Sequence, residues 1–260
     1  MSTPYFLAGR LDGVTYTCSE GDEAGYPSSN LSDGDNETLW QSDTQAEGQT
    51  LVIDFGSART CDTLIIHNHN IDIDGNGSNL LQADDNSGFS SPETIATLSG
   101  TGTPDPKAYT FTAKTYRYWR ILYGSGSTLP LGANPYLGNL FLGERFEVPY
   151  HYGFGSQVED EAYETFDKTN LEGKIISAQA YSGRTRFSLK FQNQDSDFVA
   201  GVQALLRYSR GRLYTIYFVD LNAVIWLVKS MSDFAPVSTI GPNRYDLTLP
   251  LQSLHIGLND

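Results

Sequence analysis

Seven apolar runs of six to nine residues lie between Thr50 and Glu144, separated by turn-forming residues. They read TLVIDFG (50–56), DTLIIHNH (62–69), NLLQAD (79–84), TIATLSG (94–100), YTFTAKTY (109–116), YRYWRILYG (116–124) and YLGNLFLGE (136–144). Runs this short and this evenly spaced suit antiparallel strands packed as a sandwich or barrel, not helices, which need longer stretches to bury a stripe. Several alternate in the way one buried and one wet face demands: Tyr109, Phe111 and Ala113, then Tyr118, Arg120 and Leu122. Aromatics at 12%, mostly Tyr and Phe, and 25 Gly with 11 Pro agree with a turn-rich, all-β chain.

The length of 260 residues favours two domains. Residues 1–144 carry 6 basic and 18 acidic side chains, a net −12, whereas 145–260 carry 11 and 13, a net −2, so charge divides where the texture changes. The expectation is an N-terminal β-sandwich over 1–144 and a second β module over 145–260. Within the second, KIISAQAYS and RTRFSLKFQ predict a hairpin about Ser182-Gly183. Asp195 or Ser196 is placed to cap a helix to about Tyr208, with Phe198, Val199, Val202, Leu205 and Leu206 on one stripe and Gly211 as its stop. LYTIYFVD and AVIWLVKSM predict a strand pair across Leu221-Asn222, and RYDLTLPLQSL a last strand.

A net charge of −14 opposes nucleic acid and anionic membrane surfaces, which require concentrated positive charge. No apolar stretch reaches the length of about 20 residues that a membrane helix needs. MSTPYFLAGRLDG lacks the basic and apolar regions of a secretory signal, so assembly in a cytoplasm is expected. Cys18 and Cys61, the two thiols, exclude a disulfide framework and a zinc site of three or four thiolates, and read as buried free cysteines. No nucleophile elbow, zinc-protease motif, phosphate loop or dinucleotide fingerprint is present. Asp72 with Asp74, or Asp84 with Asp85, sit as neighbours on one loop and do not face each other across a cleft, so no catalytic residue is assigned.

NLSDGDNETLWQS (30–42), QTLVIDFGS (49–57), TYRYWRILY (115–123) and LGNLFLGE (137–144) occur in the order of the discoidin, or coagulation-factor C-type, family of galactose-binding-like sandwiches. The first module resembles that family across about residues 15–144, which implies a jelly-roll-like sandwich with Trp40 in its core. The resemblance also implies a calcium ion held by Asp33, Asp35, Thr38 and the closing carboxylate of Glu144, a hard-oxygen set that suits Ca²⁺. The alternative for the Asp-Gly-Asp stretch is an acidic turn whose side chains cap backbone amides. Sugar sites in such modules lie in apical loops, where His67, Asn68, His69, Asn70, Asp72 and Asp74 cluster, with Tyr123 and Tyr136 as further candidates. His67 and His69 could instead hold a metal from one strand face, or the cluster could be an exposed strand end.

From RFEVP onward, the order of hairpin, short helix, strand pair and terminal strand resembles the tail-tube-type β domain of distal tail proteins in long-tailed bacteriophages. That resemblance implies a ring, commonly of six copies, within a virion tail tip, contacting the tail tube and hub proteins and displaying the sandwich toward host glycans. Head-to-tail contacts close such a ring. The competing reading is a carbohydrate-binding accessory or adhesin protein of a bacterium.

Overall fold

The computed structural model describes residues 3–8, 13–33, 38–71, 78–99, 106–125, 133–148, 156–161, 164–169, 175–181, 184–208, 216–231, 237–238 and 244–253. It is built almost wholly of strands with one α-helix, as the apolar pattern predicts. The chain divides into two compact units, but not at a single point. One is residues 10–145; the other joins residues 1–9 to residues 146–260. The first strand, β1 (Tyr5–Ala8), therefore leaves the module it was expected to open, and the sandwich is an insertion within the second unit.

The inserted unit contains β2 (Thr15–Cys18), a 3-10 turn at Ser28–Ser32, β3 (Trp40–Gln41), β4 (Thr50–His69), β5 (Ser78–Asp84), β6 (Glu93–Leu98), β7 (Lys107–Ser125) and β8 (Tyr136–Gly143). The hydrogen-bonded order is β3-β8-β4-β7-β5-β6, with β2 on the other side of β4. Two strands of 20 and 19 residues, β4 and β7, are too long for one flat layer, and each is interrupted along its length. The first part of β4 pairs with β2 and with the end of β7, and its second part pairs with β8 and with the start of β7. The ladder slips between Asp54 and Arg59, where Gly56 takes a positive φ of 73° that costs a residue without Cβ nothing. Asp54 holds this bend: it accepts from Gly56 N at 2.7 Å and from Arg117 through both oxygens, at 2.8 and 3.0 Å. The Arg117 hydrogen bonds keep the Asp54 carboxyl below its ordinary pKa.

Side chains alternate into one core that includes Trp40, Leu51, Ile53, Leu64, Ile66, Leu81, Trp119, Ile121, Leu137 and Leu142. Trp40 is fully buried, as expected, and Cys61 is a buried free thiol, pushed up to about 12 by desolvation. Cys18 is only half-buried, at the edge position where β2 meets Leu51.

The second unit comprises β1, then β9 (Phe146–Glu147), β10 (Gln157–Glu161), β11 (Glu164–Thr169), β12 (Ile175–Tyr181), β13 (Arg184–Gln194), α1 (Ser196–Tyr208), β14 (Ile216–Val219), β15 (Ile225–Ser230), β16 (Val237–Ser238) and β17 (Tyr245–Ser253). Its sheet runs β10-β13-β17-β15-β14-β1-β9, with β16 on β17. The helix begins as its sequence predicts: Asp195 Oδ1 accepts from Phe198 N at 2.8 Å, satisfying one of the amides a helix start leaves without a partner. Its apolar stripe, Phe198, Val199, Val202, Leu205 and Leu206, packs on Phe187, Leu189, Phe191, Phe218, Leu247 and Leu249. Gly211, the expected stop, lies outside the described residues. The expected strand pair forms, with Asp220 Oδ1 accepting from Asn222 N and Val224 N to close the turn.

The expected hairpin of residues 174–192 is corrected. β12 pairs back with β11 in a separate two-stranded sheet, while β13 takes β10 on one edge and β17 on the other. With both edges of β13 occupied, no ladder position remains for its sequence neighbour.

Gly201 marks the tightest packing of the helix. A Cβ there would lie 2.7 Å from Phe146 Cζ, well inside contact, because the Phe146 ring lies on that helix face and also meets Phe198 at 5.5 Å between centroids. Gly201→Ala would gain helix propensity of about 1 kcal/mol. The overlap costs about 1–3 kcal/mol, so net destabilisation is expected. Urea unfolding of the variant is expected to show a lower midpoint, and a double-mutant cycle should show the cost of the added methyl reduced in a Phe146→Ala background.

Candidate functional site

One end of the inserted sandwich gathers three connections. Gln41 pairs with Tyr136 and His69 with Leu137, so residues 42–49, 70–71 and 133–135 come together there. Loops grouped at one end of a rigid sheet are where such a scaffold carries binding groups.

Buried polar groups brace these segments against one another. Asn70 is the centre: its Nδ2 donates to Asn134 O at 2.8 Å, and its Oδ1 accepts from Tyr136 N at 2.9 Å. Asn134 Nδ2 in turn donates to Ser42 O at 2.9 Å. The Gln49 side chain donates to Thr44 O at 3.1 Å and Ala46 O at 2.9 Å and accepts from the Ser42 hydroxyl, folding the 42–49 turn over itself. Gly48 N donates to Tyr123 O at 2.8 Å, Tyr123 N to Gln49 O at 2.9 Å, and Gly124 N to Asn79 Oδ1 at 3.0 Å. With these groups satisfied internally, Asp43, Gln45 and Glu47 face solvent on the rim. Asn70→Ala would strand a carbonyl and an amide at once, and a loss of about 1–3 kcal/mol is expected. Faster amide exchange at Tyr136 is the specific sign.

The sequence candidates distribute differently from expectation. His67 and His69 are not in an exposed loop or at an exposed strand end: both are buried near the end of β4, paired with Asn139 and Leu137. His69 Nδ1 accepts from Ile71 N at 3.2 Å. Between them Asn68 has a φ of 51°, which interrupts the two-residue alternation that would align the imidazoles. Its side chain lies over Gly138, where a Cβ would come within 2.8 Å of Asn68 Cβ. Asn70 is a brace rather than a surface group. Asp72 and Asp74 lie outside the described residues. Tyr123 is buried beside Trp40, with ring centroids 6.3 Å apart, and desolvation raises its phenol pKa; Tyr136 remains half-buried at the rim.

The calcium set implied by the resemblance is split. Thr38 Oγ1 donates to Asp33 Oδ2 at 2.8 Å, near the Trp40 end of β8, whereas Glu144 follows Gly143 at the far end of that strand, which pairs with Thr63. Six residues of strand, Gly138–Gly143, separate Leu137 from Glu144, a span of about 20 Å. Asp35 lies outside the described residues. Among the described residues no three His, Cys, Asp or Glu side chains form a metal-holding group. Asp22, which the sequence did not single out, instead organises this region: Oδ1 accepts from Trp40 Nε1 at 2.9 Å, and Oδ2 from Ser28 N and Oγ at 2.9 and 3.0 Å.

Solved structures similar to the chain cover about half of it. A chitosan-binding module 1 from a chitosanase/glucanase of Paenibacillus sp. IK-5 shares 23% identity over 52% of this chain and 98% of its own, with a TM-score of 0.43. A chitosan-binding module 2 from the same enzyme, in complex with chitotriose, shares 18% over 53% and 100%, with a TM-score of 0.43. The family 32 carbohydrate-binding module of Clostridium perfringens NanJ, in complex with galactose, shares 17% over 54% and 98%, with a TM-score of 0.42. No characterised protein matches the chain by sequence. Residues 30–121, within the inserted unit, match the family model described as the NedA-like, galactose-binding domain, so that stretch is similar to galactose-binding, discoidin-like domains.

Proposed function

We propose that the inserted sandwich binds a carbohydrate at its apical end without catalysis, and that the second unit assembles the chain into a ring at the tail tip of a long-tailed bacteriophage. The observation that carries the first half is the braced rim: Asn70, Asn134 and Gln49 hold three connections together at the end of a domain matched to a galactose-binding family. A preorganised rim lowers the ordering cost that a flexible loop would incur on binding a sugar. The second half draws on the resemblance to distal tail proteins and on an element order of β13, α1, β14, β15 and β17 around one sheet. The ring, its six copies, and contacts with tube and hub proteins belong to this reading, and the sandwich is the part offered to host glycans.

Two measurements test it. Native mass measurement at micromolar concentration should give a closed multiple of the 28.7 kDa chain, six being expected; a strict monomer that is also absent from purified virions would overturn the ring. Glycan-array binding should be present and should fall at least tenfold when the rim is altered by Asn70→Ala. A folded protein that binds no glycan overturns the carbohydrate half, and a glycan-binding monomer would instead favour a bacterial accessory or adhesin protein.

A further inference from the structure

On the outer face of the sandwich, three residues along β7 from Tyr123, a guanidinium is held with unusual care. Arg120 lies on β7 between Val52 of β4 and Gln82 of β5, on the face opposite Trp119 and Ile121. Its Nε and Nη2 both donate to Gln82 Oε1, at 2.9 and 2.7 Å. Gln82 cannot turn away, because its Nε2 donates to Thr94 Oγ1 at 3.1 Å. Phe89 covers the guanidinium from above, 4.3 Å from Arg120 Cζ to the ring centroid, and is itself buried.

Phe89 reaches this position only through a strained backbone. Its φ is 47°, a left-handed conformation that a bulky residue rarely adopts. The turn that imposes it is built by Asp84, whose Oδ1 accepts from Asn86 N at 3.0 Å and whose Oδ2 accepts from Ser91 N at 3.1 Å. Asn86 Oδ1 then accepts from Gly88 N at 2.8 Å, and Asn86 O from Phe89 N at 3.0 Å. The Asp84 carboxylate is thus engaged with backbone amides; it balances Arg120 through space but forms no ion pair with it.

The outcome is a partly desolvated cation fixed on one edge by an amide and on one face by a ring. Its remaining edge, Nη1 with the second hydrogen of Nη2, has no acceptor among the described residues, and Nη1 is not among the buried polar atoms left without one. A fork of this kind donates to two oxygens side by side. Asp84, two residues along β5 from Gln82 and opposite Tyr118, keeps lone pairs for a donor. Fixed donors beside an acceptor match neighbouring hydroxyls of a neutral sugar; an added carboxylate would meet Asp84 and a domain of strongly negative charge.

We propose that the Arg120 fork, with Asp84 and Tyr118 beside it on the β5–β7 face, is a second contact site for neutral carbohydrate, separate from the apical rim. It rests on the carbohydrate reading above and adds a face along which a longer glycan is held. The test is nuclear magnetic resonance mapping of the full chain with a neutral galacto-oligosaccharide, N-acetylchitotriose and an oligouronate of equal length. Shifts at the Arg120 side-chain Nε and the Gln82 and Tyr118 amides with a neutral sugar are expected, and Arg120→Lys should weaken that sugar at least fivefold while the rim shifts persist. Gln82→Met, which frees the fork without removing it, should weaken it about as much and serves if the lysine variant does not fold. Neutral-sugar shifts confined to residues 43–48 and 134–136 would overturn the face site and leave the carbohydrate reading standing. A preference for the oligouronate would overturn the neutral ligand, and no shift with any sugar would overturn both.

Discussion

Trp40→Ala is expected to lower the stability of the inserted sandwich by about 3–5 kcal/mol, among the largest effects of any single core change here. The indole is fully buried between Leu31, Leu137 and Tyr123, so its removal combines lost transfer energy with a cavity in a core too closely packed to collapse on it. It also strands Asp22, whose second oxygen anchors the Ser28–Ser32 turn. Trp40→Phe separates the two contributions: it fills most of the volume and removes only the Nε1 donor, for an expected cost of about 1–2 kcal/mol. Urea unfolding followed by tryptophan fluorescence from Trp119 reads both variants. A loss below about 1 kcal/mol for the alanine variant would mean that the Trp40 site relaxes, contrary to the packing described.

The second large effect concerns the insertion. β1 and β9 are adjacent and antiparallel, Tyr5 opposite Glu147 and Phe6 opposite Phe146, so the chain leaves the second unit and returns to it at neighbouring positions. Deleting residues 9–143 and joining Ala8 to Glu144 through Asn-Gly should convert this pair into an ordinary hairpin, because that dipeptide favours the turn whose twist matches the strands. The shortened chain is expected to fold, with a melting temperature within a few degrees of the second unit's own transition, and to lose the glycan binding proposed for the sandwich. Deleting residues 1–9 instead should prevent that unit from folding. It removes an interior strand between β14 and β9, together with Phe6, stacked on Phe218 at 4.9 Å, and Leu7, both fully buried; each such side chain is worth about 1.5–3 kcal/mol. If the second deletion folded as well as the first, the division of the chain would be wrong.

Alternation made the sandwich strands legible, and the sequence order of Thr38, Trp40, Asp54–Gly56 and Arg117–Arg120 made its family resemblance legible too. What could not be read was β1. A four-residue YFLA run has no periodicity of its own, and its partners, β14 and β9, lie more than a hundred residues away. The pairing of β12 with β11 was hidden for a related reason: Ser182-Gly183 is a good turn signal, but which edge accepts a strand depends on what already occupies it. Among the site residues, His67, His69 and Asn70 were noticed for their polarity; all three are buried, and His69 and Asn70 bond to neighbouring backbone. Polarity alone does not distinguish a side chain that waits for a ligand from one that braces a loop. Arg120 is the converse, since a strand-embedded arginine is unremarkable until Phe89 and Gln82 are found around it.

The twin connection between the units has a mechanical consequence. Tension on the sandwich, such as a bound surface would exert, enters the second unit through Ala8 and Phe146 together and so is divided between two strands. β1 is held by β14 at four successive residue pairs, Tyr5–Val219 to Ala8–Ile216, and a pull along its axis must shear all four at once instead of opening them one by one. A domain hung from a single terminal linker has no such arrangement. Under force along β1, releasing the sandwich from its anchorage therefore requires the β1–β14 ladder to fail in shear.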